Sequence, residues 1–167
     1  PILDLKDVAQ SATTFKTFSV NTMSYLVIPP QTFPGSATLM FTLKCANMLE
    51  AVHSSTASLH IRTNSAPIAG LFFVTNGGDG GPDNGRALKD KFRFSARFWE
   101  DKDDDVILYE FGYISQQSVY LALQRPEELS SGDFLLPQGD PSVDYVTKCG
   151  VTVSDTFGAE TSASTTI

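Results

Sequence analysis

Cysteine is scarce in these 167 residues, cations are outnumbered, and no long apolar run occurs. Two cysteines, Cys45 and Cys149, are too few for a disulfide framework, and neither has the CxxC or Cys/His spacing that holds zinc. Each lies in an alternating apolar stretch (Phe41, Leu43, Cys45 and Cys149, Val151, Val153), where cysteine behaves as a small buried hydrophobe. Both are therefore expected as buried free thiols, the alternative being a bridge to each other or to sequence outside this segment. Twelve Lys plus Arg stand against nineteen Asp plus Glu, a formal charge of −7, and no basic stripe stands out that could release counterions from a phosphate backbone. Nucleic acid is not expected as a partner. No apolar run approaches the roughly 18–20 residues of a membrane helix. The opening residues PILDLKDVAQ lack the zones of a signal peptide. Running from Pro1 to a strand-like end at Ile167, the chain reads as part of something longer, with any targeting signal or anchor outside it. The absence of an Asn-x-Ser/Thr sequon removes N-glycosylation as a guide to location.

What is present is a globular composition, 41% hydrophobic, with period-two alternation in many places and helical periodicity almost nowhere. Phe92, Phe94, Ala96 and Phe98 fall on one face of a strand, with Arg93, Ser95 and Arg97 on the other. Ile107, Tyr109, Phe111 and Tyr113 share a second; Val119, Leu121 and Leu123 a third; Tyr145, Thr147, Cys149, Val151 and Val153 a fourth. The first part of the chain offers strands at Thr14–Val20, Ser24–Ile28, Ala37–Cys45 and Ser58–Arg62. Pro29, Pro30 and Pro34 make PPQTFPG a connection, because proline cannot donate to a ladder. The single helical candidate is one turn at Pro126–Ser130, with proline at its start and two glutamates in its first turn. Short strands punctuated by turn residues predict a sandwich.

TNSAPIAG, residues 63–70, has the proline, glycine and small polar residues of a linker. It divides the chain into a module at 1–64 and a complete module at 65–167, of about a hundred residues as sandwiches of this kind are. Sixty-five residues are few for seven strands, so the first module is expected to hold C-terminal strands and to lack its opening ones or take them from elsewhere. A proline turn, an alternating strand, a polar bend ending at Ala51 or Ala159 and a Ser/Thr-rich strand recur in both halves, as tandem copies of one module would.

The acidic run EDKDDD is the first candidate site. Asp101, Asp103 and Asp105 have the Asp-x-Asp-x-Asp spacing that opens an EF-hand loop, and hard oxygens suit Ca²⁺. The loop then fails: Val106 stands where glycine is needed and Gly112 where a bidentate glutamate is needed. A looser Ca²⁺ site of the kind seen between cadherin-like modules would use Asp101, Asp103 and Asp105 with Asp155 of VSDTFG. The plainer alternative is a solvated turn between two strands, where carboxylates keep the end of a sheet soluble. NGGDGGPDNG (76–85) lacks the order of a phosphate loop and reads as a strand connection. His53 and His60 have no nucleophile or orienting group around them, so no catalytic residues are assigned and an enzyme is not expected. Trp99, Tyr109, Phe111, Tyr113 and Tyr120 fit either a core or an aromatic platform for sugar. Alternation from Phe98 predicts partial exposure of Trp99.

LVIPPQTFPGSATLMFTLKCAN (26–47), RTNSAPIAGLFFVTNGG (62–78), ALKDKFRFSARFWEDKDDDVILYEFGY (87–113) and LLPQGDPSVDYVTKCGVTVSDTFGAETSAS (135–164) together carry a resemblance. In that order they resemble the extracellular repeats of the receptor for egg jelly (REJ) region, found in polycystin-1-like proteins and sea-urchin sperm receptors. The glycine-rich loop departs from the family pattern by being longer. The resemblance implies an all-β fold of tandem immunoglobulin-like or fibronectin type III-like β-sandwiches in a large extracellular or cell-surface protein, often ciliary or flagellar. It implies a structural and adhesive role as spacer and protein-interaction segment, with neighbouring modules and other surface or matrix proteins as partners. The rivals are a carbohydrate-binding module and a subunit of a capsid-like or filamentous assembly.

Overall fold

A computed structural model describes residues 4–14, 25–29, 32–46, 54–77, 85–104 and 106–167. The fold is all-β, apart from two single turns of 3₁₀ helix, Leu5–Asp7 and Pro141–Val143. Among the described residues no helix is long and apolar enough to cross a membrane. The chain forms two compact units, Pro1–Thr63 and Asn64–Ile167.

In the first unit, strands β1 (Thr38–Ala46) and β2 (Ser54–Arg62) form an antiparallel pair, with Thr38 opposite Arg62 and Ala46 opposite Ser54. β2 starts four residues before the predicted Ser58, because the polar stretch SSTA pairs as readily as the apolar one after it. The register puts Leu39, Phe41, Leu43 and Cys45 across from Ile61, Leu59, Ala57 and Ser55, so one face is apolar. Leu43 and Leu59 remain about 60% exposed. Cys45 is exposed as well, contrary to expectation; alternation identified the apolar face but not whether anything lies over it. Of the strand expected at Thr14–Val20 only Thr14 is described, and of Ser24–Ile28 only 25–28, which belong to no sheet. There Val27 is held instead by Gln10 N–H, which donates to its carbonyl, and by Ser11 Oγ, which accepts from its amide.

The second unit is a β-sandwich. Strands β3 (Leu71–Asn76), β4 (Lys91–Arg97) and β7 (Ser131–Leu135) form one antiparallel sheet in the order β3-β4-β7. Strands β5 (Ile107–Ile114), β6 (Tyr120–Ala122), β8 (Lys148–Asp155) and β9 (Glu160–Thr166) form the other in the order β6-β5-β8-β9. Four phenylalanines join the sheets. Phe72, Phe94 and Phe134 come from the first and Phe111 from the second, and Phe111 has its ring centroid 6.1, 5.8 and 6.0 Å from theirs. Cys149, Val151 and Val153 of β8 complete the floor and are essentially inaccessible. Burial pushes the Cys149 thiol up to about 12. A thiol-specific maleimide at neutral pH is therefore expected to label the native chain once, at Cys45, and a second time only after unfolding; peptide mapping by mass spectrometry reads the result.

The structure departs from simple alternation at Phe98, whose φ of 59° is left-handed. That residue turns the chain over, so Phe98 is 76% exposed and Trp99 only 6%, the reverse of the sequence expectation. Trp99 Nε1 donates to the Leu71 carbonyl (3.3 Å), which satisfies the indole inside the core. A left-handed conformation costs a non-glycine residue roughly 1–2 kcal/mol. Phe98→Gly is expected to raise stability by up to about 1 kcal/mol after the entropic cost of glycine, and Trp99→Ala to lower it by about 3, both read from urea melts.

Two strands were missed. In β3 the run Leu-Phe-Phe-Val is apolar at every position and so carries no period, and β7 is short and begins Ser-Gly-Asp. The turn of helix expected at Pro126–Ser130 is absent: Glu127 exchanges backbone hydrogen bonds with Tyr109 (2.7 and 3.1 Å), so this stretch lies against the edge of β5. β8 begins only at Lys148, because Asp144 and Tyr145 are both left-handed (φ 56° and 61°) and break the expected strand. On the outer face of the four-stranded sheet, Gly112 and Gly150 are cross-strand partners. A Cβ on Gly112 would collide with the Tyr120 ring, which lies over this glycine pair. The Tyr120 phenol donates to the Glu110 carbonyl (3.1 Å), and its partial burial pushes it up to about 12.

Candidate functional site

The acidic run joins β4 to β5, and each of its described aspartates accepts hydrogen bonds. Asp101 Oδ1 accepts from the amides of Asp103 (2.7 Å) and Asp104 (3.2 Å), which folds the turn on itself. Asp104 Oδ1 accepts from Val106 N–H (3.1 Å), and its Oδ2 from the amide and hydroxyl of Thr156. This places the acidic turn and the VSDTFG bend at the same pole of the sandwich. Asp155, at the end of β8, is 3% exposed. Its Oδ1 accepts from Phe157 and Ala159 N–H (both 2.9 Å), closing the β8–β9 turn, where Gly158 takes a left-handed φ of 84°.

The same pole holds the start of the unit. Asn64 Nδ2 donates to Asp155 Oδ2 (2.5 Å), and Ser65 donates its amide and hydroxyl to Asp103 Oδ2 (3.1 and 2.7 Å). Thr161 Oγ1 donates to the carbonyl of the buried Pro67 (2.7 Å), and Ile68 forms a bridge with Glu100. Residues 64–68, which composition marks as linker, are thus fastened into the sandwich by acceptors from the β4–β5 connection and the end of β8 and by a donor from β9. Asn64 Oδ1 and Asp101 Oδ2 are buried without a hydrogen-bond partner. Asp105 lies outside the described residues. Among the described residues no group of three or more His, Cys, Asp or Glu is arranged to hold a metal ion. A divalent ion on Asp155 would compete with the donors just described for both of its oxygens, whereas Asp101 Oδ2 carries no such donor.

The other candidates sort by burial. Trp99, Tyr109 and Phe111 belong to the core, and Tyr113 packs against it, so these four form no exposed platform for sugar. Of NGGDGGPDNG, positions 78–84 lie outside the described residues, as does His53. His60 is exposed on β2, opposite Met40.

The sequence places Arg93 and Arg97 on the polar face of one strand, and the structure extends that face into a basic surface. With Phe92, Phe94 and Ala96 of β4 turned into the core, Lys91, Arg93 and Arg97 stand together on its outer face. Arg86 and Lys89 precede them, and Asp90 is the only acid from 86 to 97. Arg86 is held by Asp90 (3.0 Å). Arg93 grips Asp133 of β7 with two parallel bonds, 2.8 and 2.7 Å, and this guanidinium holds the Asp133 carboxyl below its ordinary range. Arg97 lies 5.1 Å over the Phe73 ring. In the sequence these cations alternate with phenylalanines and form no run; reading the polar face of the strand by itself is the signal that finds them.

A comparison with family models matches residues 4–167 to the REJ domain. No curated protein matches the chain.

Proposed function

Because the chain belongs to the REJ domain family, a non-catalytic module of the extracellular regions of polycystin-like proteins, we propose that it serves as a structural spacer and protein-interaction segment of a large cell-surface protein. The observation that carries this reading is the path of the chain through the second unit. Asn64 is bound to Asp155 at one end of β8, and Ile167 exchanges hydrogen bonds with Thr147 (2.7 and 3.0 Å) at the other. The eight residues of β8 separate these points by roughly 26 Å at about 3.3 Å per residue. A pull between Asn64 and Ile167 therefore runs along β8 and loads its ladders along the strands, as suits a module in a series.

The strand order, β3-β4-β7 facing β6-β5-β8-β9, supports an immunoglobulin-like or fibronectin type III-like sandwich. That the family match runs unbroken through both units supports reading Pro1–Thr63 as an integral part of the segment. A ciliary or flagellar surface is the setting proposed for it. Pulling the 1–167 chain by its ends in an optical trap tests the mechanical role. The expected trace shows a discrete rupture releasing on the order of 300 Å, the length of the second unit at 3.3–3.6 Å per residue. Smooth extension without a rupture would count against a load-bearing role.

A further inference from the structure

The outer face of the β3-β4-β7 sheet is basic in a chain whose net charge is −7. Lys91, Arg93 and Arg97 occupy it from β4, and across the register stand Leu135, Asp133 and Leu71 respectively. Asp133 is the single carboxylate that these three strands place there. Leu71 and Leu135 are about half exposed, and Phe73 lies beneath the Arg97 guanidinium. The face is thus cationic with apolar flanks.

Arg93 shows how this face takes a carboxylate: Asp133, carried by a neighbouring extended strand, meets it in a two-point fork. Arg97 offers the same planar donor, held by the Phe73 ring, with no ion pair among the described residues. Lys91 lies six residues before Arg97 on the same side of β4, roughly 20 Å away at about 3.3–3.4 Å per residue. An extended chain with acids at alternate positions has that same period of two. A carboxylate arriving on it could meet Arg97 as Asp133 meets Arg93, while the methylenes of those same acidic side chains lie against Leu71 and Leu135, the cross-strand neighbours of Arg97 and Lys91. A sulfated polysaccharide would satisfy the cations but leave the apolar flanks uncovered.

We propose that this face docks an extended acidic segment of a partner protein, its carboxylates at alternate residues engaging Lys91 and Arg97. The proposal rests on reading the chain as an interaction module, and its failure would leave the rupture under load untouched.

The test is fluorescence anisotropy with the 1–167 chain and a labelled 12-residue peptide alternating Glu with Val and Thr. Saturable binding that weakens as salt is raised is expected. Lys91→Glu with Arg97→Glu should weaken it at least tenfold, whereas Arg125→Glu, exposed in the connection between β6 and β7, should change it less than twofold. Should the charge reversal disturb folding by circular dichroism, Lys91→Gln with Arg97→Gln is the substitute, with a loss of about threefold or more. A peptide of the same composition with its glutamates in one block should bind several-fold more weakly. Equal binding of the two peptides, indifference to the Lys91 and Arg97 substitutions, or binding of a heparin oligosaccharide with none of the peptide would each overturn the proposal.

Discussion

Phe111→Ala is expected to cost about 3–5 kcal/mol, the usual range for removing a buried phenylalanine. The size follows from position. Phe111 is wholly buried and the one ring of the four-stranded sheet that meets Phe72, Phe94 and Phe134 of the other, so its loss opens a cavity at the centre of the inter-sheet contact. Surrounding rings are fixed to three separate strands and can close in only partly. Domains of this size have about 5–15 kcal/mol in total, and the melting temperature should fall by on the order of 15–30 °C. Phe157→Ala is the control: that ring is 71% exposed and its removal should change stability by no more than about 0.5 kcal/mol. Calorimetry of both variants decides the matter, and similar losses from the two would mean that the core lies elsewhere.

Asp155→Ala is expected to cost about 3 kcal/mol, although no apolar contact is at stake. One buried carboxylate accepts from Phe157 N–H, Ala159 N–H and Asn64 Nδ2, and alanine leaves all three donors near the protein interior without it. Hydrogen bonds to a charged acceptor contribute about 1.5–3 kcal/mol each, and orphaned buried donors add a desolvation cost. Water reaching the exposed turn offsets part of that sum. Asp155→Asn retains one acceptor oxygen and should lose about half as much. Hydrogen exchange gives the local readout: the amides of Phe157 and Ala159 should lose protection in Asp155→Ala beyond the fall in global stability. Unchanged protection at both would show that the turn is held by its backbone alone.

These two residues also show what could be read from the sequence. Phe111 shares a strand face with Ile107, Tyr109 and Tyr113 in the sequence, which leaves it open between core and aromatic platform, and burial of that face in the two-sheet stack makes it core. Asp155 stands out in the sequence by its charge, which offers it as a Ca²⁺ ligand beside Asp101, Asp103 and Asp105. What the structure shows is a carboxylate at the end of a strand serving backbone donors two and four residues on and a side chain 91 positions earlier. The local part, Asp-x-x-Gly-Ala closing a turn through a left-handed glycine, is legible from turn chemistry. The distant part depends on which connections share a pole, and pattern alone does not give that. Phe98 fails for another reason: alternation assumes one backbone conformation throughout, and a single left-handed residue inverts everything after it. β3 was missed because a strand apolar on both faces has no period to detect. Alternation puts Arg93 and Arg97 on one face of β4, but a search for a basic run along the chain does not read them as a surface, because β-structure gathers cations by skipping every second residue.

The pairing of β5 with β8 also governs how quickly the unit can form. Ile107 lies opposite Asp155 and Ile114 opposite Lys148, so the central ladder of the larger sheet joins stretches more than thirty residues apart at every rung. Neither β4 nor β5 can finish burying its phenylalanines until that distant strand has arrived. Closing such long loops before their contacts are made places sandwiches among the slower single domains, in the range of milliseconds to seconds. In the interval the aromatic faces of β4 and β5 are open to any other chain, and during synthesis the interval includes the time needed to translate the residues up to Asp155. Refolding yield should therefore depend on protein concentration much more steeply than native stability does, and a long array of such modules is best made one module at a time.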